Sequence, residues 1–223
     1  MEFELLEALT PEIRRAVLIN SVRRVFRKGE TLFHEGDPGN TLHLIEKGRV
    51  AIRPCAPDGN AVTLAVLGPG SSFGELALLG EDSLRTATVI ALEPVETRAI
   101  HRRDVDDLRR REPSIDRFLV DALAAQVRRL SAQVLESLYV PAEDRVVRRL
   151  ETLAEVYDVG VRPIAIGVRQ EDLATMAGTT RSTTNRVLQH LVRGGVIEVR
   201  RGLILVDDPA TLSGGGRRSA LRS

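Results

Sequence analysis

The feature that most constrains this chain is a run of short alternating segments between Val22 and Ile100. VRRVF, TLFHEG, TLHLIEKGRVAIR, AVTLAVL, TATVIAL and VETRAI each alternate apolar and polar residues, the period of a half-buried strand. Lys28-Gly29, Gly36-Asp37, Lys47-Gly48, Asp58-Gly59 and Gly68-Pro69-Gly70 separate them, and pairs of this kind turn a chain back on itself. Short strands at even spacing predict a compact antiparallel roll or barrel. Before them, Leu5, Leu6 and Leu9, then Ile13, Val17 and Leu18, recur at helical spacing. Thr10-Pro11 reads as the cap and first-turn proline between two short helices.

After Val22–Ile100 the period changes to that of helices. Pro113-Ser114 opens a long helix through about Tyr139, roughly 40 Å at 1.5 Å per residue. Leu123, Val127, Leu130, Val134 and Leu138 form a stripe on it, either a seam against a second copy or a face packed on the roll. Pro141 disfavours helix at Val140 and can start a new one, so 140–141 is a hinge. The next helix carries Val146, Leu150, Leu153 and Val156 on one side, and Ile164-Ala165-Ile166 is a short strand. Leu173, Ala174 and Ala177, then Gly178, then Val187, Leu188 and Leu191 give two helices joined by a tight turn. Gly194-Gly195 and VIEVRRGLILV predict a two-stranded wing turning near Arg201-Gly202, and SGGGRRSALRS a disordered tail. The fold class is therefore α+β, in a chain long enough for two small domains.

One stretch carries chemistry. Phe73-Gly74-Glu75-Leu76-Ala77 sets a glycine, which lets backbone approach a ligand closely, before a run able to open one helical turn. Ten residues after Glu75, Arg85-Thr86-Ala87 supplies a permanent cation, a hydroxyl and a small neighbour, the parts of a phosphate seat. An ionised Glu75 cannot serve a phosphate but can accept from sugar hydroxyls beside it. A sugar phosphate is the implied guest.

Charge distribution agrees in direction with a nucleic-acid partner for the C-terminal part. Residues 1–140 hold 19 basic and 21 acidic side chains, and 141–223 hold 13 and 10. Cys55 is the single cysteine, which excludes an internal disulfide and a cysteine-ligated iron–sulfur cluster. His34, His43, His101 and His190 are scattered without metal spacing, and no catalytic set converges. No apolar run reaches membrane-spanning length and the first residues lack a basic leader, so a cytoplasmic, non-enzymatic protein is expected.

FGELALL followed by RTATV resembles the phosphate-binding cassette of cyclic-nucleotide-binding domains. Together with the pattern at 169–191, it makes nearly all of 1–212 similar to bacterial transcription regulators of the Crp/Fnr family. The resemblance implies a cyclic-nucleotide-binding β-roll over 1–112, a dimerisation helix and hinge over 113–140, and a winged helix-turn-helix over 141–212, leaving 213–223 as the tail. It puts Arg85 and Thr86 on a cyclic phosphate, Glu75 and the Gly74 backbone on the ribose, and Phe73, Leu76 and Ala77 around them. Arg128 or Arg129 would reach toward Glu75 and the ribose. Where relatives carry hydroxyl residues that contact the base, aligning Arg128-Arg129-Leu130 places Gln133 and Val134, and aligning back from Leu138 places Ser131 and Ala132; cyclic AMP is the expected effector with cyclic GMP an alternative. On the second motif helix Arg181 and Arg186 can fork onto guanine, flanked by Ser182 and Asn185. Arg169, Thr179, Thr180 and Thr183 would hold phosphates. Relatives reading a TGTGA half-site carry Glu in place of Ser182, and serine cannot make that carboxylate contact with cytosine. The implied partners are palindromic double-stranded DNA, a second copy and RNA polymerase. Two other readings stand beside this one: a regulator of the same build that binds DNA without a nucleotide or with another effector, and a nucleotide-binding regulatory subunit of an enzyme.

Overall fold

The computed structural model describes residues 3–7, 9–56, 62–78, 83–112 and 114–212. The turn expected at Asp58-Gly59, the opening Pro113 and the tail at 213–223 lie outside the described residues. The chain divides into two units, Met1–Ala61 with Ala65–Leu130, and Val62–Leu64 with Ser131–Ser223.

In the first unit the expected pair of short helices is a 3-10 turn, Glu4–Leu6, followed by α1 (Pro11–Ile19). The Thr10 hydroxyl accepts from the Ile13 N–H and Pro11 occupies the first turn, so the start of α1 is built as the sequence indicates. Eight strands follow: β1 (Val22–Phe26), β2 (Thr31–Phe33), β3 (Thr41–Lys47), β4 (Val50–Arg53), β5 (Ala65–Leu67), β6 (Ser72–Phe73), β7 (Thr88–Ala91) and β8 (Val95–His101). They form two four-stranded antiparallel sheets in the orders β1-β8-β3-β6 and β2-β7-β4-β5. Strand alternation gives β3 two buried faces. Leu42 and Leu44 pack with Leu6, Ile13, Val17 and Ile100 in an outer cluster. Ile45 packs with Val50, Phe73, Val89 and Val95 inside the roll.

Two helices complete this part. In α2 (Arg102–Arg111) only Val105 and Leu108 are apolar, and both join the outer cluster. Then α3 (Ser114–Tyr139) runs 26 residues and contributes to both units. Ile115 and Leu119 pack on the outer cluster, whereas Val127, Leu130, Val134 and Leu138 of the stripe are 44–69% exposed in the single chain. The alternative of a stripe packed on its own roll is not what these four residues do.

The second unit holds α4 (Ala142–Tyr157), β9 (Ile164–Ile166), α5 (Gln170–Met176), α6 (Arg181–Arg193), β10 (Ile197–Arg200) and β11 (Leu203–Val206). Its wing has three strands in the order β10-β11-β9, because Ile164–Ile166 pairs with β11 instead of standing alone. Val146, Leu150 and Leu153 of α4, Leu173 of α5, and Leu188 and Leu191 of α6 are buried together with Ile164, Ile166, Ile204 and Val206 of the sheet. Tyr157, not Val156, completes the buried face of α4; Val156 is half-buried at its edge.

Candidate ligand site and nucleic-acid interface

Among the described residues of the first unit, Arg85 is the buried arginine. Arg85 is 7% exposed, and its backbone is fixed on both sides: its N–H donates to the Asp37 carbonyl at 2.9 Å and its carbonyl accepts from Gly36 at 2.8 Å. The side chain lies over the Phe33 ring, 3.9 Å from Cζ to the centroid, a cation–π contact. Nη1 donates to the Thr41 carbonyl at 2.8 Å and, at 3.5 Å, to the Gly74 carbonyl; Nη2 donates to Thr41 Oγ1 at 2.7 Å. Every one of these acceptors is neutral. Among the described residues no carboxylate forms an ion pair with Arg85, although Asp37 and Glu75 are near enough to favour its charge. Burial is the larger effect and pulls the pKa below the usual arginine value.

Counting donors shows what remains. A guanidinium has five N–H bonds. Thr41 takes the end-on pair and Gly74 a third, while Nε is buried with no partner. The uncommitted donors, Nε–H and the second Nη2–H, share one edge of the group, and that side-on fork matches two oxygens of one phosphate or carboxylate.

Gly74 makes room for this arrangement. Its φ is +79°, and a Cβ there would stand 2.5 Å from Arg85 Nη1 and 3.0 Å from the Thr41 carbonyl oxygen. The residue before it, Phe73, is buried on β6 opposite His43 of β3, and their rings stack at 5.0 Å with 3° between planes. Phe33 and Phe26 surround the same histidine. His43 is 7% exposed, and burial, helped by the charges of Arg85, Arg24 and His101, pushes its pKa down to about 3.

The structure brings Phe73, Gly74, Glu75 and Arg85 to one end of the roll. Glu75 opens a single 3-10 turn, Glu75–Leu78, in place of an α-helical turn. Thr86 and Leu76 are exposed beside Arg85 and Glu75, and the side chain of Ala77 is outside the described set. Arg129 hydrogen-bonds Gln126 of its own helix and not Glu75. Gln133 is half-buried on the part of α3 that belongs to the second unit. Sequence reasoning passed over Phe33 and Thr41 and set His43 aside as one of four scattered histidines; the register that places His43 opposite Phe73 is a property of the fold.

In the second unit Gly178, at φ +58°, ends α5 with the Thr179 N–H bonded to the Ala174 carbonyl and its own N–H bonded to Thr175, the left-handed stop that turns the chain into α6. Arg145 of α4 grips that turn by donating to the Ala177 and Gly178 carbonyls at 2.8 and 2.9 Å. Thr180 caps α6: its hydroxyl oxygen accepts from the Thr183 N–H at 3.2 Å, so it is engaged within its own helix. Arg181, Ser182, Asn185 and Arg186 are exposed on one face of α6, and Thr179 and Thr183 are half-buried at its start. Arg169 and Arg181 line one cavity of about 310 Å³ that reaches Gly202 of the wing. The N-cap of α5 is Arg169, which makes no side-chain cap bond. Arg186 differs from the others in donating to Glu143 Oε1 of α4 at 2.5 Å.

A two-sheet roll in one unit and a winged helix-turn-helix in the other define a class of DNA-binding regulators. The cyclic nucleotide-binding domain family matches residues 23–112, and the Crp-like helix-turn-helix domain family matches 144–214. The chain is 34% identical over 208 residues to the cyclic AMP receptor protein of Thermus thermophilus, covering 93% of this chain and 94% of that one. It is 28% identical over 191 residues to the CRP-like cAMP-activated global transcriptional regulator of Mycobacterium tuberculosis, covering 84% and 85%. The crystal structure of the Thermus thermophilus catabolite activator protein is similar with a TM-score of 0.55 at 33% identity, covering 96% of this chain and 98% of that chain. The chain belongs to the Crp/Fnr family, whose members are transcription regulators and not enzymes. The match at 144–214 sets aside the reading as a regulatory subunit of an enzyme.

Proposed function

We propose that this protein is a homodimeric regulator that binds cyclic AMP in the roll and, in that state, binds a palindromic operator. The observation that carries the ligand is the buried Arg85 with its side-on fork uncommitted and, among the described residues, no carboxylate paired to it. A desolvated cation in that condition favours an anion, and a charge-assisted contact there contributes about 1.5–3 kcal/mol. Arg85 and Thr86 take the cyclic phosphate, Glu75 and the Gly74 backbone the ribose with Arg129 on that side, and Gln133 the base, Phe73, Leu76 and Ala77 shaping the cassette. The names of the Thermus and Mycobacterium relatives favour cyclic AMP over cyclic GMP.

The exposed apolar stripe of α3 supports pairing of two copies over 113–140, between a sensor of residues 1–112 and a DNA-binding domain of residues 141–212. Two-fold pairing sets the recognition helices about 34 Å apart, one turn of DNA. Arg181 and Arg186 read guanines with Ser182 and Asn185 beside them, and Arg169, Thr179, Thr180 and Thr183 hold the backbone. RNA polymerase is the further partner that the resemblance suggests. No helix among the described residues is long and apolar enough to cross a membrane, and action on DNA agrees with a cytoplasmic place. Calorimetric titration with cyclic AMP and with cyclic GMP, alongside Arg85→Ala, tests the reading. Binding that weakens tenfold or more in the variant is expected. Wild-type protein that binds neither nucleotide would sink it and leave a regulator with another trigger.

A further inference from the structure

We infer that His43 is a positioning residue for Arg85: its ring edge fixes the Thr41 hydroxyl that holds the guanidinium, while its ring face holds the strand that delivers Gly74. The inference deepens the preceding section and rests on its reading of Arg85 as the seat of a ligand's phosphate.

Three observations meet at this one side chain. Thr41 Oγ1 accepts from Arg85 Nη2 at 2.7 Å and lies 3.3 Å from His43 Nε2. His43 Nδ1 lies 3.1 Å from the hydroxyl of Thr97, a residue with no exposed surface. Phe73, whose chain runs directly into Gly74, stacks on the same ring. The imidazole is therefore held on both edges and on a face, inside a shell of aromatic rings.

The chemistry of the ring follows from its surroundings. A neutral imidazole has one donor and one acceptor nitrogen. The order in which each bond polarises the next runs from the Arg85 guanidinium to Thr41, from the Thr41 O–H to Nε2, and from Nδ1–H to Thr97. In that order the Thr41 hydroxyl cannot rotate without breaking a buried bond, so its lone pair stays aimed at Nη2. Fixing Nη2 and Nη1 against Thr41 orients the whole plane, and with it the adjacent edge that carries the Nε fork. His43 itself touches no ligand; it acts through Thr41 and through Phe73. A charged imidazole would set a second cation beside Arg85, and burial keeps the ring neutral.

The test uses the full-length protein with two readouts, nuclear magnetic resonance of the Arg85 side-chain N–H groups without nucleotide, and calorimetric titration with cyclic AMP. His43→Phe keeps an aromatic ring on Phe73 and removes both nitrogens; His43→Gln returns an acceptor near the Nε2 position. In wild-type protein hindered rotation should give separate Arg85 Nη proton signals. His43→Phe should merge them and weaken cyclic AMP about three- to tenfold, the effect of one neutral hydrogen bond. His43→Gln should recover part of both. In a Thr41→Val background, His43→Phe should add nothing, because the path through the hydroxyl is already cut. Unchanged Arg85 signals in His43→Phe, or a full additional effect in the Thr41→Val background, would overturn the inference and leave His43 as packing. If wild-type protein ignores nucleotide while the Arg85 signals still answer to His43 through Thr41, the ligand reading fails and the positioning role stands.

Discussion

The two units use arginine in opposite ways. Arg85 is buried, spread over Phe33 and held by the neutral oxygens of Thr41 and Gly74, with one edge left uncommitted. On α6 the arginines stand in water, and Arg186 is tied to a carboxylate of the neighbouring helix. A buried cation surrounded by neutral acceptors meets one ligand in one orientation, and each contact is strong because solvent is absent. Exposed cations on a helix face are screened, adjustable and summed over many phosphates, which suits a long polyanion. The difference teaches that burial, not residue type, decides which anion each part of the chain can select.

The comparison can be broken most directly at Gly74. Gly74→Ala puts a Cβ against the Arg85 guanidinium in a backbone conformation that side chains avoid, so cyclic nucleotide affinity should fall on the order of a hundredfold, with DNA-binding-unit contacts untouched. Titration calorimetry reads the first part, and circular dichroism with a melt of the variant checks that the roll persists. A variant that binds normally would mean that Arg85 is not held where the ligand sits.

On the other side, Arg186→Ala should relax discrimination at one operator base pair by about 1–3 kcal/mol while leaving nucleotide binding unchanged. Competition between a selected operator and its single-base variants measures it. Uniform weakening across all sequences would instead assign Arg186 to the DNA backbone.

Acid should separate the units next. A histidine whose folded pKa lies at about 3 against an ordinary 6.5 binds its proton more readily in the unfolded chain. His43 therefore contributes full stability above about pH 6.5, and that contribution is lost as pH falls toward 3, by up to about 1.4 kcal/mol per unit. Urea melts of the wild type and of His43→Phe at pH 7 and pH 5 should diverge in slope with pH, and parallel curves would contradict this. The smallest effect is expected from Glu143→Gln. Releasing Arg186 from an exposed ion pair changes at most about 1 kcal/mol, so DNA affinity should rise no more than about fivefold, and more on non-specific than on operator DNA.

What could be read in the sequence followed from periodicity. The alternating runs and glycine turns between Val22 and Ile100 become the two sheets, and the helix pair around Gly178 becomes α5 and α6. Where the pattern was thin it said nothing: α2, with RRDVDDLRRR, has two apolar residues three apart and no stripe to read. Phe73, Gly74 and Arg85 were legible because a turn and a lone cation near it suggest a ligand. Thr41 and His43 were not, since they lie far before their partners in the chain: the pairing of β3 with β6 sets His43 opposite Phe73, and the backbone bonds of Arg85 to Gly36 and Asp37 set it beside Thr41. Thr180 shows the converse. A hydroxyl ahead of an exposed arginine looks like a DNA contact, while the same hydroxyl three residues before Thr183 is also a helix cap, and sequence alone does not rank the two uses.

Thr41 and Phe33, groups of the protein itself, hold Arg85 in place. An arginine side chain gives up about 2 kcal/mol of rotamer entropy when it is immobilised, and here that loss falls on folding and not on capture. A ligand of the proposed seat would then gain affinity without that cost, and variants of the seat would differ mostly in how fast the ligand leaves.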